Sequence, residues 1–137
     1  MSCYAVIDTN VLVSALLSSH DDAATVQVVG KLFSGEIVPL LSDLILSEYG
    51  TVLRRKKFGF SEEQVERFLA AIEKYGLIIT PKPSGEVLPD MKDIPFYEVV
   101  LEKRDEDAYL VTGNLKHFPQ KTFVVTARQL LEILNKQ

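Results

Sequence analysis

Asp8, Glu48 and Asp93 are the acids whose setting suggests chemistry, because Asp8 directly follows an apolar run and Glu48 and Asp93 lie on helical stretches that could bring them to it. Three carboxylates drawn within a few ångströms of one another repel, and hold their protons more tightly unless a cation neutralises them. Oxygen donors of this kind suit a hard cation, Mg2+ or Mn2+. A cation held there can polarise a phosphate oxygen and acidify a bound water, which is phosphodiester hydrolysis without a protein nucleophile. Asn114 is a further candidate, able to offer a carbonyl oxygen but neither charge nor a base. Each acid also has a plainer reading. Asp8 could be the N-cap of a helix beginning near Asn10, Glu48 a solvated charge, and Asp93 or Asp90 a cap for the helix that follows.

The elements that must position these residues are short. Residues 4–7 form an apolar, partly β-branched run ending at Asp8, which predicts a buried strand. Helices are expected over 11–17 and 23–33, the second with polar residues at 19–22 to cap it and Gly35 to close it. Residues 36–41 are a strand candidate despite Pro39. Ser42 and Asp43 open a helix to about residue 55 that carries Glu48, and Ser61 with Gln64 forms a capping box for a helix to about residue 75, stopped by Gly76. Residues 77–80 read as a third strand, 81–89 as a loop, 93–103 as a helix, 108–112 and 123–125 as strands, and 127–134 as a final helix. Strands alternating with helices predict an α/β fold with a parallel sheet covered on both faces. Ligands of such sheets sit beyond the carboxyl ends of the strands. Asp8 and Asn114 meet there if the first and fourth strands are neighbours, with Glu48 and Asp93 joining from helices.

At 137 residues the chain has the size of one compact domain, and 47% apolar with 25% charged residues excludes a disordered or collagen-like chain. The single cysteine, Cys3, can form no internal disulfide, which is consistent with a reducing compartment. The apolar start at Tyr4 is too brief for a secretory leader, and no run approaches the roughly 20 residues that span a membrane. A cytoplasmic protein is therefore expected. Its 15 Lys plus Arg against 19 Asp plus Glu give a net charge of −4, the wrong sign for gripping nucleic acid over a whole surface. Any such site must be local, and needs a divalent cation beside the phosphate.

Four segments carry a resemblance. They are Tyr-Ala-Val-Ile-Asp8-Thr9-Asn10-Val11; Ser-Asp-Leu-Ile-Leu-Ser-Glu48-Tyr49; Asp90-Met-Lys-Asp93-Ile-Pro-Phe; and Tyr-Leu-Val-Thr112-Gly-Asn114 followed by Lys-His117-Phe-Pro. In this order and spacing they resemble the PIN domain family, particularly its VapC-like ribonucleases, the toxins of toxin-antitoxin systems. The resemblance implies a Rossmann-like PIN domain over residues 1–137, with a central five-stranded parallel sheet in order 3-2-1-4-5 flanked by helices on both faces. It also implies a Mg2+- or Mn2+-dependent endoribonuclease that acts on RNA, forms a homodimer and is inhibited by a small antitoxin protein. By position, Asp8, Glu48 and Asp93 are its metal ligands, and Thr9, Asn10 and Thr112 are supporting polar groups. Asn114 stands where many members have aspartate, which weakens the case for a second metal.

Arg54, Arg55, Lys56 and Lys57 form a basic run at the end of the Glu48 helix. Such a run complements the negative end of a helix, or contacts substrate phosphates. Phe58 and Phe60 beside it are expected to pack in the core or a dimer contact, with stacking on bases the alternative. His117 lies close to Asn114 and could approach the phosphate, but is read first as a structural histidine hydrogen-bonded in a turn. Two rivals stand beside the nuclease. A phosphatase forming an aspartyl-phosphate on Asp8 would usually carry a second aspartate where this chain has Asn10. A catalytically weakened PIN scaffold for RNA binding or dimerisation is favoured by Asn114, but has to keep a cluster of like charges without benefit.

Overall fold

The predicted alternation of strands and helices folds into a parallel sheet in the computed structural model, which describes residues 2–136. The strands are β1 (Cys3–Ile7), β2 (Ile37–Leu41), β3 (Leu77–Ile78), β4 (Tyr109–Val111) and β5 (Val124–Val125), in the order β3-β2-β1-β4-β5. The expected 3-2-1-4-5 order is therefore observed. Between them run α1 (Thr9–Leu17), α2 (Ala24–Ser34), α3 (Asp43–Leu53), α4 (Glu62–Tyr75), α5 (Ile94–Glu102) and α6 (Ala127–Asn135). Helix α5 covers β1, β2 and β4, while α2 packs on α6 and against β2. The core between them is built from Ile7, Leu40, Ile45, Tyr49, Phe96, Val100 and Leu110, all buried. Among the described residues no helix is long and apolar enough to cross a membrane.

The ends of the elements differ from expectation where side chains intervene. Helix α1 begins at Thr9 and not at 11, because the Asp8 carboxylate accepts the Thr9 N–H directly. The polar residues 19–22 do not cap α2. Its N-cap position is Ala23, with no side-chain cap, whereas Gly35 closes the helix in the left-handed region at φ 87° as anticipated. The Ser61–Gln64 capping box of α4 is present in both directions. Helix α3 stops at Leu53, short of the basic run, and β3 keeps only two of its expected residues.

Pro39 sits inside β2 without breaking the sheet. Cys3 donates its N–H to the carbonyl of Glu36, so Cys3 and, by alternation, Ala5 turn their backbone groups toward β2. Ala5 is paired with Pro39 in register, which turns the Pro39 nitrogen away from β1, toward the side that β3 joins only from Leu40 onward. No ladder bond is lost there.

Gly76 is required by crowding. At φ −100° its backbone is ordinary. A Cβ there, however, would stand 2.8 Å from the Pro39 carbonyl oxygen and 2.9 Å from that of Ile72. Both obstacles are backbone. Gly76→Ala is expected to cost about 1–3 kcal/mol, the usual range for overpacking. Gly30→Ala, in an α2 position with nothing within 4 Å of the added carbon, is expected to gain about 0.5–1 kcal/mol from helix propensity. Urea denaturation of the two variants together checks both signs.

Candidate active site

Where β1 ends, a cleft of 390 Å³ opens between α1, α3 and the start of α5, and the carboxylates of Asp8, Glu48, Asp90 and Asp93 line it. Sheet order puts Asp8 there. Its N–H donates to the carbonyl of Val111 at 2.8 Å, so the residue after β1 lies beside the end of β4. One carboxylate oxygen caps α1 by accepting the Thr9 N–H at 2.9 Å. The other accepts the Thr112 hydroxyl at 2.7 Å and the Asn10 amide at 3.3 Å. Asn10 in turn accepts the Gly113 N–H at 3.1 Å, tying the start of α1 to the β4 turn. Asp8 is 6% exposed. Burial raises its pKa above the ordinary carboxylate value and the charge of Asp93 adds to this, against the opposing hydrogen bonds from Thr112 and Thr9.

Asp93 closes a 3-10 turn (Met91–Asp93) that runs directly into α5. Asp90 caps the 3-10 turn, its side chain accepting the Lys92 N–H at 3.0 Å, and the side chain of Asp93, at the N-cap position of α5, makes no capping bond. The Asp93 side chain faces the cleft, and its buried Oδ2 has no hydrogen-bond donor. Nδ1 of His117 lies 3.2 Å from that oxygen, an ion-pair distance that is out of line for a hydrogen bond. Burial raises the Asp93 pKa, and the charges of Asp90 and Glu48 raise it further, while His117 opposes them. Glu48 comes from α3, half-buried. Its neighbour Tyr49 is fully buried and donates its hydroxyl to the carbonyl of Ile7 at 2.5 Å. The hydroxyl oxygen of Thr9 is buried and without a partner.

The donor set suits a hard cation: carboxylate and hydroxyl oxygens, two of them buried and unpartnered, with burial and neighbouring acids raising the proton affinity of Asp8 and Asp93. Among the described residues, no three His, Cys, Asp or Glu side chains are close enough together to hold an ion as they stand. Like charges of this kind keep apart until a cation offsets them. The chemistry therefore fits, and closure onto an ion requires the side chains to move inward.

The sequence profile of the PIN domain family matches residues 4–116. The chain belongs to that family. PIN domains are generally nucleases, so the fold is of nuclease type. A crystal structure of PAE2754 from Pyrobaculum aerophilum is similar to this PIN domain over 99% of this chain and 91% of that one, with a TM-score of 0.58 and 18% identity. At that identity the likeness concerns the fold alone. No curated protein matches the sequence.

This PIN domain thus brings Asp8, Glu48 and Asp93 to one cleft, with Thr9 and Asn10 on its wall and Thr112 hydrogen-bonded to Asp8. Asn114 is one step removed, its side-chain amide 3.0 Å from Nε2 of His117. The basic run divides. Arg54 forms a double hydrogen bond with Glu62 at 2.7 and 2.9 Å, Lys57 lies over the ring of Phe58, and Arg55 alone of the four lines the cleft. Phe58 and Phe60 stack on each other and pack against a small cluster of Val13, Val52, Leu53 and Val65, and Phe58 also lines the cleft. His117 is hydrogen-bonded to Asn114 in its turn, as expected, and it also lines the cleft and contacts Asp93. Its one signal in the sequence is its position three residues after Asn114, a spacing that the 3-10 turn (Leu115–His117) converts into contact.

Proposed function

We propose that this PIN domain is an endoribonuclease that hydrolyses RNA phosphodiester bonds with Mg2+ or Mn2+. The observation that carries the reading is the buried Oδ2 of Asp93, which accepts no hydrogen bond and stands 3.2 Å from the His117 ring, in a cleft lined by four carboxylates. Asp8, Glu48 and Asp93 would hold the ion, with the Thr9 hydroxyl beside them. When bound, the ion supplies positive charge to the phosphate and acidifies an attacking water. Thr112 and Asn10 orient Asp8, and Arg55 at the cleft's edge takes a flanking phosphate. With a net charge of −4, the protein needs such local compensation to approach RNA. The four-segment resemblance to VapC-like ribonucleases supports a further step, that the chain is a toxin that works as a homodimer and is restrained by a small antitoxin protein.

Cleavage of a mixed pool of single-stranded and structured RNA, run with Mn2+, Mg2+ or EDTA, tests the reading. Cutting should require the metal, and Glu48→Gln should slow it by at least about 100-fold, beyond what loss of an outer partner causes. Equal cutting in EDTA would sink the proposal. Asn114 and the spread of the carboxylates favour a second reading, a scaffold with a weakened site, and Mn2+ binding without turnover on any RNA would select it.

A further inference from the structure

Asn114 lies within a continuous line of contacts around the end of β4. Its backbone N–H donates to the Thr112 hydroxyl oxygen at 3.0 Å, and that hydroxyl donates to Asp8 at 2.7 Å. Its side-chain amide meets Nε2 of His117 at 3.0 Å, and the opposite ring nitrogen, Nδ1, stands 3.2 Å from Oδ2 of Asp93. Asp93 and Asp8, which enter the cleft from different elements, are thereby joined through His117, Asn114 and Thr112.

The chemistry of the line fixes where its hydrogens sit. A ring nitrogen facing a carboxylate has to carry a hydrogen, or two lone pairs oppose each other. In a neutral ring that places the hydrogen on Nδ1 and leaves Nε2 as an acceptor. An amide satisfies such an acceptor through its NH2 group; a carboxylate at 114 has no hydrogen to give. The arrangement accordingly asks for asparagine at the position where many PIN domains have aspartate.

We propose that His117 is a positioning residue that holds the Asp93 carboxylate in the cleft, with Asn114 fixing its tautomer instead of ligating an ion. The consequence for turnover rests on the nuclease reading; the contacts do not. Outer partners that orient a ligating group are worth about 10–100-fold in metal affinity or activity.

The test uses the full chain without RNA first. Nitrogen-15 NMR of the imidazole should show the hydrogen of His117 on Nδ1, and Asn114→Ala should shift it toward Nε2. In Mn2+ calorimetry, His117→Ala should weaken binding by about 10–100-fold. His117→Asn, whose amide NH2 falls where Nδ1–H stood, should retain most of the affinity. The double variant should bind no more weakly than His117→Ala alone, because the two side chains act in series. In cleavage assays the same losses should appear in kcat with KM little changed. A hydrogen on Nε2 in the wild type overturns the proposal, as does a loss from Asn114→Ala that persists in full in the His117→Ala background, which would make Asn114 a ligand. Mn2+ binding with the expected tautomer but no RNA cleavage would refute the nuclease reading and leave the positioning role standing. A wild type that binds no Mn2+ overturns both.

Discussion

Asp8→Asn is expected to abolish cleavage and, without metal at neutral pH, to melt at a higher temperature than the wild type. The loss follows from the ligand set. A bound ion is worth several kcal/mol to the reacting phosphate, and at about 1.4 kcal/mol per factor of ten the deficit is on the order of a thousandfold or more. The gain follows from burial. Asp8 is 6% exposed and holds its proton more tightly in the folded chain than a free carboxylate does, first through burial and then through the charge of Asp93. A carboxyl whose folded pKa is raised contributes stability that is fully present below the ordinary carboxylate value, and that is lost as pH rises through the folded value. At neutral pH the ionised Asp8 is therefore a cost, which the amide removes.

Asparagine caps a helix as well as aspartate does, so the bond from Thr9 N–H that starts α1 survives the change. The expected rise is a few °C, since about 1 kcal/mol moves the midpoint by roughly 4 °C in a domain of this size. The difference should narrow in acid, where both side chains are neutral. It should reverse with Mn2+, which stabilises only the chain that binds it. Calorimetric melts at two pH values, with and without Mn2+, measure all of this beside the cleavage assay. Wild-type cutting by the variant would remove Asp8 from the centre. A lower melting point at neutral pH would mean that the donors Thr9, Asn10 and Thr112 outweigh the burial of its charge.

The same residue shows what a sequence can and cannot convey. Asp8 after an apolar strand supported two readings, helix cap and metal ligand, as if they were rivals. In the structure one oxygen caps α1 while the other faces Thr112 and Asn10, so the cap is what aims the remaining oxygen. The sheet order was legible because alternation restricts topology and the PIN resemblance selects among what remains. Strand lengths were not. Residues 77–80 are apolar enough for a longer β3, yet only Leu77 and Ile78 pair, opposite Leu40 and Leu41. The division of the basic run was equally hidden. Arg54 finds Glu62 in the next helix, a contact that no spacing rule describes, and this leaves Arg55 at the cleft. The contact of His117 with Asp93 was hidden for a related reason: Asp93 is brought to it by α5 and β4, and the local pattern shows only a turn.

Tyr49→Phe is the second large effect expected, and it concerns how the cleft keeps its dimensions. Tyr49 follows Glu48 on α3, and its hydroxyl donates to the carbonyl of Ile7, the residue before Asp8. That bond clamps the two acid-bearing segments one residue away from each acid. The ring also packs near Phe96, centroids 6.2 Å apart, so phenylalanine keeps the packing and removes the clamp alone. Leaving a buried carbonyl without its donor costs about 1–3 kcal/mol, which urea denaturation should read as a lower midpoint at unchanged slope. Burial, and secondarily the charge of Asp8, push the Tyr49 pKa far above its ordinary value, so the hydroxyl stays a donor through the alkaline range and the penalty should not vary with pH. With α3 free to shift, Glu48 and Asp8 lose their fixed separation. Cleavage should fall by about tenfold or more even where the variant is fully folded, since misplacing reacting groups by about 1 Å costs up to about 100-fold. A stability loss with unchanged kcat would confine the bond to the core; a loss in both makes the Tyr49–Ile7 contact the strut that sets the spacing of the acids.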